Sequence, residues 1–320
     1  MRVYSIPMRT RFRGVTRREG VLIRGPAGWG EFSPFPEYGP KECARWLTAA
    51  REAAYDGWPA PRRDAIPVNV TIPAVDPSRA WEMTQTSGCR TAKVKVAERG
   101  QTDGEDIARV EAVRDAIGPA GKVRIDVNGA WDVDHAARMI RTLGRFDLEY
   151  VEQPCATLEE LAEVRRRADV PVAADESIRR ADDPLKVRAA AAADIAVLKV
   201  QPLGGVRAAL RIAEECGLPV VVSSAVETSV GLAGGLALAA ALPELPYACG
   251  LATLSLLEGD VVADPLAPVD GAIEVRRPVL DETALQPYEI SASPGGHAWR
   301  RRVAEAQALM EAPPVIGVIR

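Results

Sequence analysis

Thr91-Ala-Lys-Val-Lys-Val96, Lys122-Val-Arg-Ile-Asp-Val127, Asp147-Leu-Glu-Tyr-Val-Glu152, Val170-Pro-Val-Ala-Ala-Asp175 and Asp194-Ile-Ala-Val-Leu-Lys199 are short apolar runs, each ending at or beside a charged side chain. Such runs, rich in β-branched residues, read as strands, and helical spacing fills the intervals between them. From Lys95 the closing charges Asp126, Glu152, Asp175 and Lys199 follow at steps of 31, 26, 23 and 24 residues, which is one strand, loop and helix per unit. In a closed parallel barrel the C-terminal ends of all strands face the same way, so these groups converge on one cavity whatever their separation in sequence.

Working outward, Val68-Asn-Val-Thr-Ile72 opens the series, and strands near Val220 to Ser223 and Tyr247 to Leu251 bring the count to eight. Helical patterns are expected over Pro77 to Thr86, Asp103 to Ile117, Asp134 to Leu143, Leu158 to Ala168, Pro184 to Ala191, Val206 to Cys216 and Leu232 to Ala241. Eight strands and seven helices suggest closure. The alternative, a doubly wound open sheet, lacks its Gly-x-Gly-x-x-Gly turn after the first strand, and the reactive groups fall on many strands rather than at one switch point. The expected class is α/β, a (β/α)7β modified TIM barrel over residues 63–264, with an α+β capping domain from residues 1–62 plus about 265–320. In the cap, short strands at Arg2 to Met8 and Gly20 to Arg24 flank a basic, polar stretch from Arg9 to Glu19. A helix follows over Lys41 to Tyr55, then a Pro-rich linker from Asp56 to Arg63; a last helix, His297 to Met310, is expected to pack back on this module.

The 320 residues carry a net charge of −4, which gives none of the basic surface that nucleic acid or anionic lipid requires. No apolar stretch approaches a membrane span and no basic-then-apolar start marks export, so a cytoplasmic location is expected. The five cysteines are scattered, odd in number and free of any Cys-x-x-Cys pair, and read as reduced thiols. A small-molecule enzyme fits best; oligomeric state is not legible.

Alternation puts Lys93 and Lys95 on one face of their strand. Asp126, Glu152 and Asp175, from adjacent strands, would crowd together unless a positive charge lay among them. A hard divalent cation meets that need: all-oxygen ligation selects Mg²⁺, with Mn²⁺ as a substitute. Zinc is disfavoured, since the chain has only His135 and His297 and neither ends a strand. Repulsion from a cation and a second lysine lowers a lysine's proton affinity and makes it a usable base. Metal and lysine together suit proton abstraction next to a carboxylate, the metal stabilising the enediolate that forms.

The same residues carry a resemblance. Lys93-Val-Lys95, Asp126-Val-Asn128 with Trp131, Glu152-Gln-Pro154, Ala174-Asp-Glu-Ser177 and Lys199, together with Gly28-Trp-Gly-Glu31, resemble the ordered signature of the muconate-cycloisomerase branch of the enolase superfamily. The resemblance implies Mg²⁺ held by Asp126, Glu152 and Asp175, Lys95 as acid and base, and Lys199 opposite. Within that branch the chain is most similar to the o-succinylbenzoate synthases of menaquinone biosynthesis, through its shortness and the segments Ser223-Ser-Ala-Val-Glu227-Thr-Ser and Gly250-Leu-Ala-Thr-Leu. The implied reaction is loss of water from 2-succinyl-6-hydroxy-2,4-cyclohexadiene-1-carboxylate. Dipeptide epimerases of the branch carry an Asp-x-Asp on strand eight, which Gly250 to Leu254 lacks.

Plainer readings stand beside these. Lys93 serves equally well to orient Lys95 or Asp126 as to act directly. Asn128 is also a turn residue, Ser223 and Gly250 are equally a strand-end turn serine and a tight-turn glycine, and Glu227 is equally a hydrogen-bonding partner within the rim. Arg9, Arg11, Arg13, Arg17 and Arg18 read as a solvated face, with one of them, unassigned, a candidate lid contact for a dianionic substrate, and His135 reads as a first-turn helix residue. Rival activities are an N-acylamino acid racemase, a dipeptide epimerase or a cycloisomerase, since two lysines can work on opposite faces of one carbon; a non-catalytic binding protein is the rival from another class.

Overall fold

The computed structural model describes residues 1–12, 14–180 and 184–311. Strands β1 (Arg2–Phe12), β2 (Val15–Gly25) and β3 (Gly28–Phe32) form an antiparallel sheet. The basic stretch is therefore part of a long hairpin rather than an interval between short strands, with Pro7 opposite Arg17 and Phe12 opposite Val15. Alternation explains it: Met8 and Phe12 are buried while Arg9 and Arg11 between them are exposed, Arg9 donating from Nε to Leu257 O at 2.9 Å. Arg13 lies outside the described residues. Arg18 corrects the expectation of a solvated face. It is 1% exposed, donates from Nε to Val226 O at 3.0 Å and from a terminal nitrogen to Ser33 O at 2.8 Å, and lies over the Phe35 ring at 4.5 Å.

A helix over Pro40–Arg51 starts on Pro40 with Glu42 reaching back to the Gly39 amide, and continues as one π turn over Glu52–Asp56. It packs on the terminal helix Pro294–Glu311 through a core that includes Val3, Phe32, Trp46, Trp299 and Val303. The end of the expected cap segment, residues 312–320, lies outside the described residues.

The barrel strands are β4 (Ala65–Ile72), β5 (Thr91–Lys95), β6 (Lys122–Asp126), β7 (Leu148–Glu152), β8 (Val172–Ala174), β9 (Ile195–Leu198), β10 (Val220–Val222) and β11 (Cys249–Ala252). Each pairs in parallel with its neighbour and β11 pairs with β4. A parallel bridge between Ser223 and Gly250, with the Ser224 amide donating to Gly250 O at 2.9 Å, joins β10 to β11 and closes the ring. Closure disposes of the open doubly wound sheet. Helices lie outside, several with side-chain caps: Thr102 with Glu105 opens Asp103–Ile117, Asp132 opens Val133–Leu143, and Thr157 with Glu160 opens Leu158–Arg167.

Between β8 and β9 the helix expected over Pro184 to Ala191 is present but short, Lys186–Ala189, and a separate single helical turn, Glu176–Arg179, directly follows β8. The alanine run leaves the helix at Ala191 (φ 49°), and Ala192 and Ala193 turn into the core. A last strand, β12 (Ala272–Glu274), pairs antiparallel with the start of β4, which ties the returning chain to the base of the barrel.

Candidate active site

Register brings the charged strand ends together. Lys95 pairs with Asp126 across β5 and β6, and Asp126 with Glu152 across β6 and β7, while Asp175 and Lys199 follow the last residues of β8 and β9. Immediately after β6 and β7 the backbone takes left-handed conformations at Asn128 (φ 51°) and Gln153 (φ 41°), unusual for residues with side chains and common where a site requires them. Gln153 fixes the next strand end: its Oε1 accepts the Asp175 amide at 3.0 Å and the Ser177 amide at 3.2 Å.

Lys93, Lys95, Asp126, Glu152, Asp175 and Lys199 are all buried. Lys93 Nζ donates to both oxygens of Glu152 at 2.9 Å and stands 3.4 Å from Asp126 Oδ2. Lys95 Nζ donates to Asp126 Oδ2 at 2.5 Å and to Asn128 Oδ1. Lys199 Nζ donates to Asp175 Oδ2 at 2.6 Å. Burial opposes charge on every one of these groups, and neighbours decide the outcome. For Asp126 the ammonium groups of Lys95 and Lys93 outweigh burial and hold the carboxyl well below its usual range. For Asp175, Arg179 and Lys199 do the same. Glu152 is pushed up to about 7 by burial and by Asp126. Lys93 is held above the usual lysine range because Glu152 and Asp126 overcome its burial, whereas Lys199 is lowered, burial being the main cause.

A cavity opens on these groups. Its wall includes Lys93, Lys95, Asp126 and Lys199 from the barrel, Ser223, Ala225 and Gly250 from the last two strand ends, and Phe12 and Phe35 from the cap. Phe12 puts its ring 5.1 Å from Lys95 Nζ. At Gly250 a Cβ would lie 2.6 Å from Ser223 Oγ, so a side chain there would collide with the neighbouring strand end. Asn128 reaches Lys95 directly. Glu227 turns into its own loop, where it accepts from Ser224 Oγ at 2.6 Å and from the Ala225 amide at 2.8 Å, and it does not line the cavity. His135 sits in the first turn of its helix beside Asp103.

Among the described residues no three His, Cys, Asp or Glu side chains stand grouped as a ready-made ion site. Ammonium groups hold the carboxylate oxygens instead. The donor set nonetheless fits a hard divalent ion, because the buried carboxylates of adjacent strand ends offer only oxygen, and an ion would compete with the lysines for those oxygens.

Residues that sequence reasoning left without a role also belong here. Phe12 and Phe35 reach the cavity only through docking of the cap, which no local pattern reports. Arg179, four residues after Asp175, donates to Asp175 Oδ1 at 2.9 Å; that i,i+4 pairing was the one local signal for it. Glu31, noted only within a motif, joins cap to barrel. It accepts from Tyr4 at 2.9 Å, Ser33 Oγ at 2.7 Å, the Gly231 amide at 3.1 Å and Thr228 Oγ1.

Burial pushes the Glu31 carboxyl up to about 7 against those donors. A raised folded pKa means stability that is present below the unfolded value and is lost as pH rises toward 7. The unfolding free energy of wild type minus that of Glu31→Gln is therefore expected to fall by about 3 kcal/mol between about pH 4.5 and pH 7, followed by urea denaturation. A difference that stays constant over this range contradicts the assignment.

Fold and site together define a barrel enzyme of the enolase type. Residues 3–54 match the enolase N-terminal domain-like family model and residues 77–278 the enolase C-terminal domain-like one. The crystal structure of muconate cycloisomerase from Pseudomonas fluorescens shares the fold, with a TM-score of 0.75 at 23% identity over 90% of this chain and 97% of that one. An o-succinylbenzoate synthase of Thermobifida fusca is 70% identical over 97% of this chain and 96% of its own length, and one of Mycolicibacterium smegmatis is 53% identical over the same shares. The chain belongs to the o-succinylbenzoate synthases of the enolase superfamily, a family of hydro-lyases. Enzymes of that superfamily typically use a divalent metal, and among the described residues no helix is long and apolar enough to cross a membrane.

Proposed function

We propose that the chain is a Mg²⁺-dependent, cytoplasmic hydro-lyase that removes water from 2-succinyl-6-hydroxy-2,4-cyclohexadiene-1-carboxylate to give o-succinylbenzoate for menaquinone synthesis. One observation carries the reading: Lys95, Lys199 and Asp126 line the same cavity, with Glu152 and Asp175 bound to lysines of its wall, in a chain 70% identical to an o-succinylbenzoate synthase. Asp126, Glu152 and Asp175 would hold the ion, and Mn²⁺ would substitute for it. When bound, it supplies positive charge that stabilises the substrate carboxylate as negative charge builds on it.

The chain's own residues do the rest. Lys95, once neutral, takes the proton from the ring carbon bearing the carboxylate, and its electron pair moves into the enediolate. The protonated Lys95 then gives that proton to the ring hydroxyl as the C–O bond breaks, so that one water leaves and the ring becomes aromatic. Lys199, as an ammonium on the other side, steadies the enediolate. Lys93, bound to both oxygens of Glu152, keeps the carboxylate layer in place under Lys95. Phe12 and Phe35 give the ring apolar contact and keep water from the base, Ser223 and Gly250 shape the wall around it, and Asn128 orients Lys95 from behind that wall. Glu227 acts at one remove, by holding the Ser224–Ala225 segment of that wall.

Purified protein given this substrate and, separately, N-acylamino acids is expected to form o-succinylbenzoate faster than it racemises. Strong racemisation with no o-succinylbenzoate would assign the site to the racemase instead.

A further inference from the structure

We infer that Arg179 is a positioning residue that ties the seating of the cap to the pose of both lysines. The inference rests on the reaction proposed above for this site.

The Arg179 side chain is 1% exposed, and its guanidinium donates in three directions. Nε donates to Asp175 Oδ1 at 2.9 Å. One terminal nitrogen donates to Glu176 Oε1 and the other to the Tyr38 hydroxyl. A planar fork can hold three divergent acceptors at once, which a lysine ammonium on its flexible stem does less rigidly. Taking away a buried charge of this kind leaves its carboxylate partners uncompensated.

Two of the three branches end on the lysines. Asp175 Oδ1 belongs to Arg179, and its other oxygen, Oδ2, takes Lys199 Nζ at 2.6 Å. Glu176 Oε1 also accepts from Asn128 Nδ2 at 3.1 Å, and Asn128 Oδ1 in turn accepts from Lys95 Nζ. A single guanidinium thus sets the orientation of the group that holds Lys199 and, through Glu176 and Asn128, of a group that holds Lys95.

The third branch leaves the barrel. Tyr38 belongs to the cap, where its ring meets Phe35 edge-on at 5.9 Å and Trp46 at 5.8 Å, and Arg302 of the terminal helix donates to Tyr38 O at 2.9 Å. Phe35 itself lines the cavity. The Tyr38 hydroxyl reaches Arg179 only when this aromatic cluster sits on the barrel, so the carboxylate and the amide that orient the lysines are held fully only with the cap in place. A network of this kind acts on geometry, and its loss lowers kcat more than it raises KM.

The test pairs Tyr38→Phe with Arg179→Lys and the double variant. Tyr38→Phe deletes one oxygen and keeps the ring, so folding is preserved. Its kcat is expected to fall about 10-fold with KM within about twofold of wild type, the usual size of an effect transmitted through a supporting hydrogen bond. Arg179→Lys is expected to weaken Mn²⁺ binding, titrated by electron paramagnetic resonance without substrate, by about 10-fold or more. In the double variant the kcat loss should be no greater than in Arg179→Lys alone, because the Tyr38 branch acts through the guanidinium. Wild-type kcat in Tyr38→Phe, wild-type Mn²⁺ affinity in Arg179→Lys, or kcat losses that multiply in the double variant each overturn the inference. The metal titration needs no turnover, so it stands or falls separately from the identity of the substrate.

Discussion

Lys95→Ala is expected to lower kcat for water loss by about 10²–10⁴-fold while the protein still folds and still binds Mn²⁺. No neighbour can take over the proton. Lys93 is bound to both oxygens of Glu152 and is held in its charged form by Glu152 and Asp126. Lys199 stands on the far side, bound to Asp175. Alanine also frees Asp126 Oδ2 from its 2.5 Å contact with an ammonium, so ion affinity should hold or rise while turnover collapses. That split separates a base from a structural lysine. A variant within tenfold of wild type in kcat would take the acid and base role away from Lys95.

Asp126→Asn should do the opposite, damaging ion binding and stability together. Its carboxylate faces Lys95 and Lys93 on alternate positions of β5 and is 1% exposed. Removing one member of a buried ion network leaves the other members uncompensated, at a cost of about 3–5 kcal/mol, and on the ligation proposed for Asp126 its loss should weaken Mn²⁺ binding by well over about 10-fold. The sign with pH follows from the depressed carboxyl: its contribution is present above the unfolded value, near pH 4, and is lost as pH falls. Urea denaturation in chelator should therefore show the gap between wild type and Asp126→Asn wide at pH 7 and closing below about pH 4. Equal stability and equal Mn²⁺ affinity at pH 7 would show that Asp126 holds neither the lysines nor the ion.

The barrel and its charged ring were legible because both depend on patterns that a chain carries locally. Each strand run from Thr91 to Lys199 announces its own length and its own terminal charge, and closure then superposes the ends without further instruction. What stayed hidden depends on how separate pieces dock. Arg18 looked like one of several surface arginines, yet its guanidinium bridges Val226 and Ser33 across the junction between barrel and cap. Phe12 closes a hairpin whose position over Lys95 is set by the whole cap. Glu227 sits in a segment marked by its motif, but its carboxylate faces its own loop, where the nearby Ser224 hydroxyl and Ala225 amide satisfy it. The helix expected before β9 is present but shorter than its spacing suggested: it spans Lys186–Ala189, and the left-handed backbone at Ala191 (φ 49°) turns the chain so that Ala192 and Ala193 are buried ahead of the strand.

The central claim is that three carboxylates on adjacent strand ends hold a divalent ion beside a lysine that moves a proton. Turnover of 2-succinyl-6-hydroxy-2,4-cyclohexadiene-1-carboxylate by wild-type protein stripped of metal tests it most directly. The account predicts no o-succinylbenzoate above the uncatalysed rate until Mg²⁺ is added, and full recovery afterwards; undiminished turnover by the metal-free protein would contradict it.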